Sequence, residues 1–149
     1  MTTKQKSPTP KKTVKTPSVK KSKAKAWALF SRYIRLRDCI RDTGNTQEGR
    51  CYTCRRLLPI QELQGGHFLP GRGGAVLFQE DQVHGQCMPC NIWKRGDWPN
   101  FFDHMVEDYG REAVDEIMAT RHDTKQWKVF ELEEIAEIYK EKVKKILEG

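Results

Sequence analysis

A chain of 149 residues with 37% hydrophobic residues and a net charge of +7 has room for one compact domain with a limited core, which a metal staple would help to fix. No run of 18 apolar residues occurs, which excludes a membrane-spanning helix, and the lysine-rich N-terminus lacks the apolar stretch of a signal peptide. The charge is uneven: residues 1–26 carry nine lysines and no acid, while the other 123 residues carry 18 basic and 20 acidic side chains, a balance of −2.

Residues 1–23 mix Lys, Thr, Ser and Pro without apolar periodicity and are expected to be a disordered basic arm. A flexible polycation binds phosphate backbones without reading sequence; a solubilising tail is the plainer alternative. The rest, 24–149, is expected to be one domain. From Lys23 to Asp42 the pattern is helical, with Leu29, Tyr33, Leu36 and Ile40 on one stripe that Trp27, Phe30 and Ile34 widen. Asp42-Thr-Gly44-Asn45 ends it.

Two C-x2-C pairs follow, Cys51/Cys54 and Cys87/Cys90, with 32 residues between them. Equal spacing in both pairs suits two tight knuckles aiming four thiolates at one zinc ion, and nothing points to the export that would favour two disulfides. Four thiolates leave no open position for water, so that zinc is structural. Cys39 is the cysteine left over. A hairpin is expected between the knuckles, with strands near Leu63–Leu69 and Ala75–Gln79 joined by Pro70-Gly-Arg-Gly-Gly74. Gln82–Lys94 should hold the second knuckle and begin a helix. Trp98-Pro99 starts a helix that Gly110 ends, Arg111–Arg121 makes a shorter one, and Lys128–Leu147 a long amphipathic one with Ile135, Ile138, Tyr139, Val143 and Ile146 inward. That last helix is expected to pack on the body or to pair two copies. The fold class expected is α+β and mainly helical.

His67, in Gly65-Gly66-His67-Phe68, lies between the knuckles, and Asn91 directly follows Cys90. Cysteine pair, histidine, cysteine pair and Asn91 in that order resemble the zinc-stapled HNH nucleases, which implies a ββα-metal core on a treble-clef-like knuckle, residues 51–95, with flanking helices at 98–148. The stretches from Gly65 to Phe68, from Gln82 to Cys87 and Cys90-Asn91, with Trp127–Tyr139, are similar to the phage lambda NinG (Rap) recombination family over roughly residues 24–148.

The resemblance implies a metal-dependent endonuclease acting on branched DNA (Holliday junctions, D-loops or flaps) in the host cytoplasm. An imidazole can take a proton from water near neutral pH, which makes His67 the candidate general base, and Asn91 offers a neutral oxygen to a catalytic Mg²⁺ or Mn²⁺. Gln82 stands where the HNH pattern usually has an Asn. Gly66 stands where it commonly has a metal-binding Asp, so a ligand must come from elsewhere. His84 is the expected replacement, with Asp81 and Glu80 the other nearby candidates. Arg72, Lys94 and Arg95 are expected on DNA phosphates. The competing reading is a non-catalytic, zinc-structured DNA-binding or recombination-partner protein, which the missing Asp favours. A zinc module that binds another protein would leave the basic arm idle.

Overall fold

The computed structural model describes residues 17–70 and 73–149, so residues 1–16 and Arg72 lie outside it. Helix α1 runs Val19–Thr43. It starts earlier than expected because the Ser18 side chain accepts from the Lys21 N–H, a cap that draws residues 19–23 out of the tail and into the helix. It stops at Gly44, whose φ of 78° is left-handed and whose N–H reaches the Ile40 carbonyl.

Two short antiparallel hairpins follow. Strands β1 (Glu48–Arg50) and β2 (Leu57–Pro59) pair around the first knuckle. Strands β3 (Leu63–His67) and β4 (Val83–Cys87) pair with Gly66 opposite His84 and His67 opposite Val83. The expected partner strand at Ala75–Gln79 is instead a run of turns. Its place is taken by β4, which reads poorly as a strand because all five residues are buried and polar ones are among them. After β4, Pro89–Trp93 forms a π-helical turn rather than the start of a regular helix. Helices α2 (Trp98–Tyr109), α3 (Arg111–Ala119) and α4 (Val129–Glu148) complete the chain.

The result is a mixed α+β, mostly helical architecture built on the β3–β4 hairpin. On one face, Val83 packs with Phe30 and Ile34 of α1 and Tyr139 of α4. Ser22 bonds Glu133, Phe30 meets Tyr139 edge-on and Lys142 lies over the Tyr33 ring. These contacts climb both helices together, so α1 and α4 run in the same direction. Against the other face, Tyr52 and Phe68 pack with Phe101 and Met105 of α2 and Val114 and Ile117 of α3. Ile40 and Ile138, expected inward, are 41% and 45% exposed. Asp38 and Cys39 are buried on α1 and Leu132 and Ala136 on α4. No described helix is long and apolar enough to cross a membrane.

Candidate functional site

The two knuckles converge. Cys51 and Cys54 flank the turn after β1, Cys87 ends β4 and Cys90 sits in the π-helical turn; their four Sγ atoms lie within 4.8 Å of one another. Cys54 Sγ and Cys87 Sγ are 3.8 Å apart. Two sulfurs bonded tetrahedrally to one zinc at about 2.3 Å would stand about 3.8 Å apart, whereas a disulfide needs about 2 Å. All five cysteines are free thiols.

The donors also fit a cation electrostatically. Burial alone would raise the Cys51 thiol, but hydrogen bonds from the Cys54 backbone and the Thr53 hydroxyl outweigh it and bring it down to about 6. Burial pushes Cys87 up to about 12 and Cys90 upward as well. Of these three, Cys51 is the easiest thiolate to form, and Cys87 and Cys90 are harder to ionise. The cluster could hold a metal such as zinc.

His67 ends β3. Its Nε2 lies 3.1 Å from the Leu77 carbonyl oxygen, which can only accept, so Nε2 carries the proton and Nδ1 keeps its lone pair. The ring stacks on Trp27 of α1, centroids 4.7 Å apart and 19° from parallel. Burial holds the imidazole below its ordinary pKa, with the Leu77 bond acting weakly the other way. The ring is therefore neutral at pH 7.

Asn91 faces the same groove. A cleft of about 430 Å³ is lined by His67, Phe68, Asn91, Arg95 and Trp98 among others. Asn91 Nδ2 donates to Gln64 Oε1 at 2.9 Å, which turns its Oδ1 away from that bond. Arg95, with a left-handed φ of 52°, reaches the groove wall, and Lys94 beside it is exposed. Neither makes an ion pair among the described residues.

The other expected site residues lie elsewhere. Gln82 is fully buried, accepts from Leu69 N at 2.8 Å and donates to the Val76 carbonyl at 2.6 Å. It therefore ties down the loop that presents the Leu77 carbonyl to His67, a positioning role rather than a direct one. His84 is fully buried on the hairpin face opposite His67. Its Nδ1 faces Arg37 and Asp38 at 3.2 and 3.5 Å; its Nε2 faces the Asp81 carbonyl and the Tyr109 hydroxyl at 3.2 and 3.1 Å. With Tyr52 stacked on the ring at 3.9 Å, both nitrogens are engaged and no lone pair is left for an ion. Burial holds His84 below its ordinary value. Glu80 pairs with Lys142, and Asp81 is exposed.

Gly66 has no room for a side chain. A Cβ on residue 66 would run into the Gln86 side chain. Gln86 is fully buried; its Nε2 donates to Thr53 Oγ1 at 3.1 Å and to the Gly96 carbonyl at 2.9 Å, while Oε1 has no partner among the described residues. The Gly96 carbonyl can only accept, which identifies that end of the amide as nitrogen. Sequence reasoning did not single out Gln86, Leu77, Asp38 or the stacking role of Trp27. For Gln86 alone a signal existed: an amide one residue before a zinc-knuckle cysteine.

The chain is similar to several known proteins. The "Protein ninG" of Escherichia phage 933W is 31% identical over 94 residues, 63% of this chain and 46% of that protein. Those of Escherichia phage lambda and Salmonella phage P22 are each 30% identical over 94 residues. The chain spans somewhat under half the length of these relatives, 46%. No solved structure matches. The family described as "Bacteriophage Lambda NinG protein" matches residues 2–148, and with that coverage the chain belongs to the NinG family.

Proposed function

We propose that this chain is a metal-dependent, HNH-type DNA endonuclease, with His67 as general base and Asn91 as a ligand of the catalytic ion. The supporting observation is that an imidazole with a fixed tautomer and a lowered pKa shares one groove with Asn91, next to a four-cysteine cluster that holds the second knuckle in place.

Leu77 keeps the proton on Nε2, so Nδ1 takes a proton from water. The water oxygen forms a bond to phosphorus as the bond to the 3′ oxygen breaks, and that oxygen leaves with the negative charge until solvent protonates it. A divalent ion such as Mg²⁺ or Mn²⁺, when bound, offsets charge on the phosphate and the leaving oxygen. Asn91 Oδ1 would hold it, and no Asp or Glu is among the described residues that line the groove. Arg95 and Lys94 would meet neighbouring phosphates. Arg72 and residues 1–16, also proposed to contact DNA, lie outside the described residues. A branched substrate and a part in phage recombination follow from the likeness to the NinG (Rap) family.

The test is incubation of purified protein with branched and linear duplexes, with Mg²⁺, with Mn²⁺ and with neither. Cleavage of branched DNA that requires the ion supports the proposal. Binding without cleavage in any metal supports the second reading, a non-catalytic, zinc-structured DNA-binding protein. What favours that reading is Gly66 together with the lack of a carboxylate among the described residues of the groove.

A further inference from the structure

Trp93 is the most exposed large apolar side chain in the second knuckle, at 71%, flanked by Ile92 at 55% and with Trp98 at 42%. Among the described residues it has no aromatic neighbour, no cation over its ring and no hydrogen bond. Its backbone, however, is firmly held. It closes the π-helical turn that contains Cys90; Lys94 N reaches the Pro89 carbonyl and Gly96 N the Cys90 carbonyl, both at 2.9 Å. The indole therefore stands out from a rigid support, not from a mobile loop.

The surroundings favour one kind of partner. Asn91 and Ile92, in the same turn, line the groove that holds His67, and Arg95 lines its wall. Lys94 and Arg95 follow Trp93 directly and are exposed. On the neighbouring wall Trp98 is backed by Phe68 at 5.6 Å and Phe102 at 5.2 Å, with part of its surface open. Flat aromatic surface interleaved with cations is what binds unpaired nucleotides: bases stack on the rings while the cations follow the phosphates. A paired, stacked duplex offers no free base face at such a ring.

We propose that Trp93 is a stacking platform for an unpaired nucleobase, which sets the protein's preference for DNA with unpaired nucleotides at a branch over continuous duplex. This rests on the DNA-directed reading above but not on catalysis. Trp93 holds the base, and Lys94 and Arg95, which follow it in the chain and are exposed, are the cations for the adjoining phosphates.

The experiment measures binding without added Mg²⁺ or Mn²⁺, so that cleavage plays no part. Wild type, Trp93→Ala and Trp93→Phe are titrated against a flap carrying 2-aminopurine at the unpaired branch nucleotide and against a blunt duplex of equal length. Circular dichroism and zinc content serve as fold controls; an exposed side chain leaves no cavity when removed. Base stacking contributes a factor of about 5 to 150 per base. The expected result is a loss of that order for Trp93→Ala on the flap, less than about twofold on the duplex, partial retention by Trp93→Phe, and a 2-aminopurine signal change that Trp93→Ala abolishes. Equal flap affinity for wild type and Trp93→Ala overturns the proposal while leaving the DNA reading intact, and points to a protein partner for this surface. Equal losses on flap and duplex also overturn it. Failure of wild type to bind any DNA overturns this proposal and the nuclease reading together.

Discussion

His67 lies stacked on Trp27 with its Nε2 3.1 Å from the Leu77 carbonyl, so the long first helix and a turn from between β3 and β4 jointly fix one imidazole. The orientation of the proposed base thus depends on residues far apart in sequence. Trp27→Ala removes the stacking surface but not the base. It should lower the maximal rate by about 10-fold or more while leaving metal dependence unchanged, because small misplacement of a reacting group is costly. Cleavage kinetics across a Mn²⁺ titration check this; a wild-type rate shows the stack to be dispensable.

The pH profile follows from the same ring. Burial lowers the His67 pKa, and a base works only when deprotonated, so the rate should be flat above about pH 6.5 and fall as the pH drops through a lower value. Single-turnover rates between pH 5 and 8 give the limb directly. A midpoint above about 7 contradicts the assignment.

Gly66 and Gln86 are predicted to be coupled. Gly66→Asp collides with a buried amide whose nitrogen is held by Thr53 and Gly96, and should cost about 1–3 kcal/mol. Adding Gln86→Ala removes the obstruction, so the double variant should be more stable than the sum of the single changes. Urea unfolding of all four proteins measures the coupling, and additive losses rule out the contact.

Acid stability has a defined window. Burial would raise the Asp38 carboxyl, but the His84 hydrogen bond, Arg37 and Arg41 outweigh it and hold it at about 2. A depressed carboxylate stabilises fully above its unfolded pKa of about 3.9 and loses that contribution as pH falls toward 2, about 2 kcal/mol in all. His84, lowered by burial, binds its proton more readily when unfolded, so its contribution is full above about pH 6.5 and declines below. Stability should therefore drop in two stages on acidification, and Asp38→Asn should flatten the lower one. An unchanged acid limb in Asp38→Asn contradicts this.

The metal prediction is one zinc per chain, bound by Cys51, Cys54, Cys87 and Cys90. Cys→Ser at any of them should release the metal and loosen the central hairpins, since binding and folding are coupled in such sites. Less than about half an equivalent of zinc in the folded wild-type protein counts against it.

What could be read in advance divides along physical lines. The bounds of α2 were legible because Pro99 and Gly110 punctuate them locally, and the four cysteines because their spacing mirrors their geometry. β4 was not: Val83–Cys87 is buried on both faces, so it lacks the alternation by which a strand is recognised. His84 was expected on an ion and lies in a buried polar network, since its partners Arg37, Asp38 and Tyr109 come from distant helices. His67 and Asn91 do share a groove, yet the carbonyl that sets the His67 tautomer lies in a segment expected to be a strand.

The central claim is that His67 acts as the base of a metal-dependent DNA cleavage. The most direct measurement compares wild type with His67→Ala for single-turnover cleavage of branched DNA at saturating Mg²⁺ or Mn²⁺, with zinc content and DNA affinity measured on the same samples. The account predicts a rate lower by about 10²- to 10⁴-fold that extra metal does not restore, with zinc and affinity close to wild type. A His67→Ala protein that cuts at the wild-type rate, or a wild-type protein that binds branched DNA and cuts none, contradicts it.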